Sequence, residues 1–283
     1  MARRSLRVRS VHRGLDFACS RPGVFVGKIA LSMTRRRWIA DEVSGNRAAL
    51  IGSHAEHLAR VLRARVGEEF DISTGAEIRH GRITSISQER VEFELAERIP
   101  AARLLPLTLI LSIFKFDRME WAIEKCTELG VSRIIPAIAR RTEAHLAAAA
   151  PKRLERWRRI AREAAEQSRR VQPPEISQPM KVKDVATIPG ATRIILSEVE
   201  DRTTIKQALQ SHTGDIVLAL GPEGGWTEPE LEVFRNTGWV STSLGSTILR
   251  VETAAIAAVS IVLSELTTNI CEPRTDFTWL FQA

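Results

Sequence analysis

The rhythm of hydrophobic and polar positions changes near residue 107. Upstream, short alternating or β-branched runs at 70–73, 82–86 and 91–95 are separated by Gly67, Gly75 and Gly81, which predicts a small β-rich unit. One helix interrupts that unit over 54–65, with Ser53 as its cap and Leu58, Val61 and Leu62 as its apolar stripe. The stretch 98–106, which carries Pro100 and Pro106, reads as a linker. Downstream, apolar strands alternate with helices, the pattern of a parallel sheet covered on both faces. Strands are expected at 107–113, 134–138, 193–196, 216–220 and 239–244. The first helix opens at an Asp117/Glu120 capping pair and stops at Gly130, and the next two span 151–170 and 203–210. A fourth opens at a Thr227/Glu230 pair and ends before Gly238, and the last covers 253–267.

Composition narrows the class. The chain has 283 residues, 44% hydrophobic and 27% charged, with no Tyr. A globular chain of this size buries roughly three quarters of its unfolded surface. Disorder, collagen and a disulfide scaffold are excluded. No run approaches the roughly 20 apolar residues of a membrane span, so no membrane partner is expected. Cys19, Cys126 and Cys271 are far apart and form no CxxC pair. That usage fits a reducing, cytoplasmic compartment and leaves neither a zinc site nor a disulfide frame.

The net charge of +7 is unevenly distributed. The first 40 residues hold ten basic side chains and one acid, Asp16; the rest of the chain holds 31 basic and 33 acidic groups. Nucleic-acid affinity in the main body must therefore come from local patches. Residues 1–32 are Arg-rich and acid-poor without an amphipathic period, and are expected to be an extension outside the fold, ahead of a fresh start at Met33. A basic arm and a targeting signal are the other readings.

The densest chemistry lies between 216 and 266. A wholly apolar strand runs straight into Gly221-Pro222-Glu223-Gly224-Gly225-Trp226, and a capped helix follows at once. Glycines at the carboxyl end of a buried parallel strand let backbone approach a ligand closely, at the edge where open α/β sheets bind small molecules. A tight connection without a ligand would look the same. The next strand also ends on a glycine turn, Leu244-Gly245-Ser246, followed by Thr247-Ile248-Leu249-Arg250-Val251-Glu252-Thr253-Ala254. Two such loops in succession can make a cleft around a flat ligand. Dinucleotide and P-loop fingerprints are missing.

These loops occur together with Lys115, Asp117-Arg118-Met119-Glu120, Lys125-Cys126-Thr127-Glu128-Leu129-Gly130-Val131 and Glu163-Ala164-Ala165-Glu166-Gln167-Ser168. Upstream stand His57-Leu58 and Val61-Leu62-Arg63. The whole set resembles the signature of the SPOUT-superfamily RNA methyltransferases, and within it the family that methylates N3 of a uridine in 16S ribosomal RNA. The resemblance extends from Met33 to about Leu266. It implies an α/β fold with a PUA-like RNA-binding β-barrel over 33–100 and a SPOUT methyltransferase domain over 105–283. That domain would hold a parallel sheet and a trefoil knot, and the protein would be a homodimer acting on the small ribosomal subunit. It further implies S-adenosylmethionine bound by Leu196, Gly221, Pro222, Glu223, Gly224, Gly225, Leu244, Gly245, Ile248 and Leu249. The chain departs from the family pattern at Thr247, where a basic residue is expected, and at Phe116, where a small one is.

Methyl transfer from a sulfonium needs a nucleophile in line with the S–CH3 bond, and uridine N3 carries a proton that must be removed. Arg250, beside the second turn, is expected to hold a uracil oxygen or a phosphate; its structural alternative is an ion pair with Glu252 or a dimer partner. Glu223 and Glu252 are the candidate bases, and either could instead hydrogen-bond loop backbone. RNA contacts are expected from Arg35, Arg36, Arg63, Lys115, Arg118 and Arg250. A basic run within 152–170 could add to them, or be a solvated helix face. His54 and His57 lack a second pair of ligands, so no metal is expected. Trp121 and Trp157 are expected in the core, and Cys126 lacks the partner a nucleophile needs. Two other functions fit the same residues: RNA binding in ribosome assembly without catalysis, and ribose 2′-O methylation.

Overall fold

The computed structural model describes residues 37–100, 105–210 and 214–270, the side chains of 267–270 excepted. The extension 1–32, Arg35, Arg36, Cys19 and Cys271 lie outside the described residues. The first sheet has six strands: β1 (Arg37–Ile39), β2 (Glu42–Ser44), β3 (Arg47–Ile51), β4 (Glu69–Ser73), β5 (Ile78–Ile86) and β6 (Arg90–Ile99). Their order is β1-β4-β5-β6-β3-β2, antiparallel throughout except where β1 meets β4. Strand β6 shows the alternation that drives it: Val91, Phe93 and Leu95 are buried, while Glu92 and Glu94 stay outside. At Gly81 a Cβ would stand 2.5 Å from Ile72 Cγ1, so β4 and β5 meet at this register because the residue is glycine. The sheet curls over Trp38, Leu50, Leu58, Ile72 and Phe93 and remains open, with β1 and β2 as edges. The expected barrel is a PUA-like half-barrel.

Three expectations for this unit need correction. Its helix, α1 (Ser53–Glu56), has Gly52 and not Ser53 at the N-cap, and it widens into a π-helical turn over His57–Val61. That wider turn rotates the apolar stripe: Leu58 is fully buried, but Val61 and Leu62 are exposed. The supposed linker is also shorter, because β6 continues to Ile99 with Arg98 still paired to Arg79.

The second sheet is parallel throughout. In chain order its elements are β7 (Leu107–Ser112), α2 (Phe116–Glu128), β8 (Arg133–Ile138), α3 (Ala144–Gln167), β9 (Glu175–Ile176), β10 (Met180–Lys181), α4 (Val182–Val185), β11 (Thr192–Leu196), α5 (Ile205–Leu209), β12 (Ile216–Leu220), α6 (Glu228–Asn236), β13 (Val240–Thr242) and α7 (Val251–Ile270). The strand order is β10-β8-β7-β12-β11-β13, with β9 also on β8. Because β7, β8 and β12 are covered on both faces, nearly every side chain in them is buried. One face packs Met119, Ile123, Trp157, Ala255 and Val259 of α2, α3 and α7; the other packs Val185, Leu231 and Phe234 of α4 and α6.

Helix starts are instructive. The Thr227/Glu230 pair forms as expected, Thr227 N–H donating to Glu230 Oε2 at 2.9 Å, while Glu230 Oε1 accepts from Arg140 N–H at 2.7 Å. The Asp117/Glu120 pair does not: Lys115 is the N-cap of α2, and Glu120 is taken by a two-pronged contact with Arg156 at 2.6 and 2.7 Å. Helix α3 starts seven residues before Pro151, since the alanine run 147–150 favours helix strongly enough to carry one missing N–H. Trp157 is in the core, but Trp121 lies on the outer face of α2 and is 46% exposed.

The end of α3 is stapled to the first sheet. Arg162 reaches Asp41 at 2.8 Å and Glu166 at 3.4 Å and donates to the Ile39 carbonyl. Glu166 accepts from Ile39 N–H at 3.3 Å, Asp41 from Ile51 N–H at 2.8 Å, and Ser73 Oγ donates to the Val171 carbonyl. Burial alone would raise the Asp41 carboxyl, but His54, Ile51 N–H and Arg162 together hold it below its ordinary range. In Glu166 burial wins, and the carboxyl is pushed up.

Candidate cofactor cleft and active site

Strand β12 is wholly buried and delivers the chain to Gly221 at the carboxyl edge of the sheet. There Gly225, at φ +69°, closes a turn in which its N–H donates to the Pro222 carbonyl at 2.8 Å. Trp226 Nε1 donates to the Leu196 carbonyl at 3.0 Å, tying this turn to the end of β11. From behind, Arg141 donates to the Gly224 carbonyl. The loop after β11 is fixed to β13 at both ends: Ser197 N–H donates to the Thr242 carbonyl at 3.0 Å, and Ser243 N–H to the Thr203 carbonyl at 2.9 Å. After Leu244 the chain turns at Gly245, φ +115°, and runs exposed through Arg250 before α7 begins.

These three loops enclose a cavity of about 430 Å³. Leu196, Gly221, Pro222, Gly225, Leu244, Gly245, Ile248 and Leu249 line it, as do Trp226, expected in the first loop but not as a cofactor contact, and Ser197, Glu198 and Thr204, which the sequence alone did not single out. Leu220, Leu244 and Ala254 make an apolar floor, and among the described residues the Gly245–Leu249 backbone makes no hydrogen bond of its own. Glu223 and Gly224 do not line the cavity: the Glu223 side chain turns to Arg118 at 3.3 Å, and Gly224 faces Arg141. The charged lining residues are Glu198, Glu200 and Asp201. Glu200 accepts from the N–H groups of Arg202 and Thr203, which lower its carboxyl.

The remaining site residues gather around α2 and α7. Glu252 is 5% exposed, 3.8 Å from Arg118 Nε, with its second oxygen unpartnered. Arg118 therefore sits between Glu223 and Glu252, and the pair expected between Arg250 and Glu252 is not formed. Arg250 occupies the turn before α7, where its carbonyl accepts from Ala254 N–H at 2.8 Å; its exposed guanidinium has no partner among the described residues. Lys115 is likewise exposed at the start of α2, and Arg63 is exposed at φ +53°.

The basic run along α3 is largely engaged. Arg153 and Arg156 pair with Glu120, Arg158 with Glu155, Arg159 with Glu163, and Arg162 with Asp41. Arg170 donates to the Thr127 carbonyl, and burial pulls its guanidinium down to about 10. Cys126 is buried and pushed up to about 12, a packing residue and no nucleophile.

Two family models match the chain: an RNA methyltransferase PUA domain over residues 50–96 and an RNA methyltransferase domain over 101–263. Ribosomal RNA small subunit methyltransferase E of Mycobacterium tuberculosis is 33% identical over 233 residues, covering 77% of this chain and 87% of that protein. The chain belongs to the ribosomal RNA small subunit methyltransferase E family. The Rickettsia conorii member is 32% identical over 217 residues, covering 74% of this chain and 86% of its own length. The family's fold is equally evident in three dimensions. The crystal structure of the Neisseria gonorrhoeae enzyme, bound to S-adenosyl methionine, matches with a TM-score of 0.73 at 30% identity over 81% of this chain and 97% of that one. A Legionella pneumophila structure, also in complex with this cofactor, matches with a TM-score of 0.72 at 29% identity over 82% and 97%. The chain is thus an RNA methyltransferase of the methyltransferase E family, with a PUA-like half-barrel before its α/β domain.

Proposed function

We propose that this protein transfers a methyl group from S-adenosylmethionine to N3 of a specific uridine in 16S ribosomal RNA of the small subunit. The observation that carries the cofactor assignment is the cavity itself: an apolar floor, two glycine turns and unpaired loop backbone at the carboxyl edge of a parallel sheet. Leu196, Gly221, Pro222, Gly225, Leu244, Gly245, Ile248 and Leu249 would hold the cofactor, which supplies an electrophilic methyl group on a sulfonium. Glu223 and Gly224 support that turn from outside through Arg118 and Arg141.

Arg250 is the catalytic group in this reading. Its free guanidinium, at the mouth of the second loop, would stabilise the negative charge that appears on the uracil oxygens as the N3 proton passes to solvent water; N3 then takes the methyl group, and the S–CH3 electron pair stays on sulfur in the departing S-adenosylhomocysteine. Glu252, buried against Arg118, acts as a positioning residue, because a carboxylate turned away from the cavity is poorly placed to take that proton. Lys115, Arg118 and Arg63, with Arg35 and Arg36, would grip RNA phosphates. Residues 33–100 form the RNA-binding domain and 105–283 the catalytic one, knotted in its last part and paired in a cytoplasmic homodimer.

The test is nucleoside mass spectrometry of small subunits incubated with the protein and labelled cofactor, beside an Arg250→Ala control. 3-Methyluridine that disappears in the control supports the reading. Label on a ribose oxygen moves the chemistry to 2′-O methylation, and no label leaves RNA binding alone.

A further inference from the structure

Glu198 stands apart from the other acids of the cleft. Glu200 is engaged by two backbone N–H groups, and Asp201 is 90% exposed beside Arg202. Glu198 lines the cavity and has neither an ion pair nor a hydrogen bond among the described residues. Its carboxylate lies directly on the Gly225 turn, where a Cβ would be 2.3 Å from Oε1; the glycine is what lets a charged group sit on the cofactor loop. Among the described residues no Lys, Arg or His lines the cavity. Arg141 is committed to the Gly224 carbonyl behind the loop and Arg118 to Glu223 and Glu252, while Arg250, between the lining residues Leu249 and Val251, pairs with none of the cleft's acids. Among the described residues Glu198 therefore puts a carboxylate without a salt-bridge partner on the cavity wall.

We infer that Glu198 makes the cleft charge-selective, favouring the cationic methyl donor over the thioether left after transfer. This rests on the S-adenosylmethionine reading above. The donor and its demethylated product share adenine, ribose, ammonium and carboxylate, and differ by the methyl group and one positive charge. Contacts to the shared parts cannot separate them, and a carboxylate at the rim can. A unit charge a few ångströms away across a partly wet rim changes affinity about three- to tenfold. Such a device would favour product exit, because the negative rim loses its attraction for the ligand once the sulfonium has become a neutral sulfide.

Calorimetric titration of the full chain and of Glu198→Gln with three ligands tests this: S-adenosylmethionine, S-adenosylhomocysteine, and sinefungin, which carries an amine near the sulfonium position. Glu198 is exposed and unbonded, so the variant should melt with the parent, and a melting curve checks that. The expected result is a three- to tenfold loss for the two cationic ligands with S-adenosylhomocysteine changed less than twofold. Product inhibition, as the ratio of the inhibition constant to the donor KM, should tighten by the same factor. An equal loss for all three ligands would overturn the inference by making Glu198 an acceptor for a shared group, and so would no change in any of them. Failure of the parent protein to bind any of the three would instead sink the cofactor reading itself.

Discussion

The joint between α3 and the half-barrel and the cleft at the far edge of the parallel sheet are both rich in polar groups, and they use them in opposite ways. At the joint, Arg162, Asp41, Glu166 and Ser73 are spent on one another or on backbone. At the cleft, Arg250, Lys115 and Glu198 have no partner among the described residues, and the backbone of Gly245–Leu249 is equally unengaged. A protein satisfies polar groups where two units must hold their relation and leaves them open where something else will supply the partner. The contrast is a better guide to function here than charge alone, because the most basic stretch of the described chain, on α3, belongs mainly to the first kind.

The sharpest way to break that contrast is Arg250→Ala. Removing a donor that acts only on developing charge is expected to lower kcat about 100- to 1000-fold with folding stability unchanged, read from single-turnover methylation beside a melting curve. Arg162→Met should do the reverse: a loss of roughly 2–4 kcal/mol in denaturant unfolding, since it leaves Asp41 and the Ile39 carbonyl without their partner. Gly225→Ala falls between the two, at about 1–2 kcal/mol of stability from the positive φ. It should also weaken donor affinity, because the new methyl displaces Glu198, and titration beside unfolding separates the effects.

The smallest effect sharpens the picture within the joint. The Asp41 carboxyl is held below its ordinary value, so its contribution is present above 3.8 and is lost as the pH falls through its folded-state value. Asp41→Asn should therefore cost about 1 kcal/mol at pH 7, with the deficit closing in acid. Glu166 is raised, so its contribution is present below 4.5 and is lost as the pH rises through its folded-state value. Glu166→Gln should then be neutral or slightly stabilising at pH 7. Urea unfolding across pH 3 to 8 distinguishes the two signs, and equal deficits at pH 7 would contradict the account of the joint.

Much of the parallel sheet could be read from the chain. Strand β12 lies where its apolar run predicts, and β7, β8 and β11 agree to within a residue, because strands buried on both faces leave an unbroken hydrophobic mark. Most of the pieces that escaped are short, the five-residue β3 being the exception. Strands β1, β2, β9 and β10 are only two or three residues long, and pairing with distant partners defines them more than any local period does. Trp121 was misplaced because an aromatic at helical spacing marks a stripe without saying what covers it. At the cleft, glycines marked the two loops visibly. The third wall, at Ser197, Glu198 and Thr204, carried no such sign, although its position after β11 at the same carboxyl edge was signal enough.

Sheet order also decides when the cleft can exist. Strand β7 is central, with β8 on one side and β12 on the other, and Leu107 lies against Ile216. During synthesis the half-barrel can close early, because β4, β5 and β6 follow one another along the chain, whereas β7 keeps an open edge until β12 has emerged. The strands that carry the cleft are therefore the last to join. A nascent chain stalled before residue 216 would leave the β12-facing edge of β7 unpaired and have no catalytic pocket.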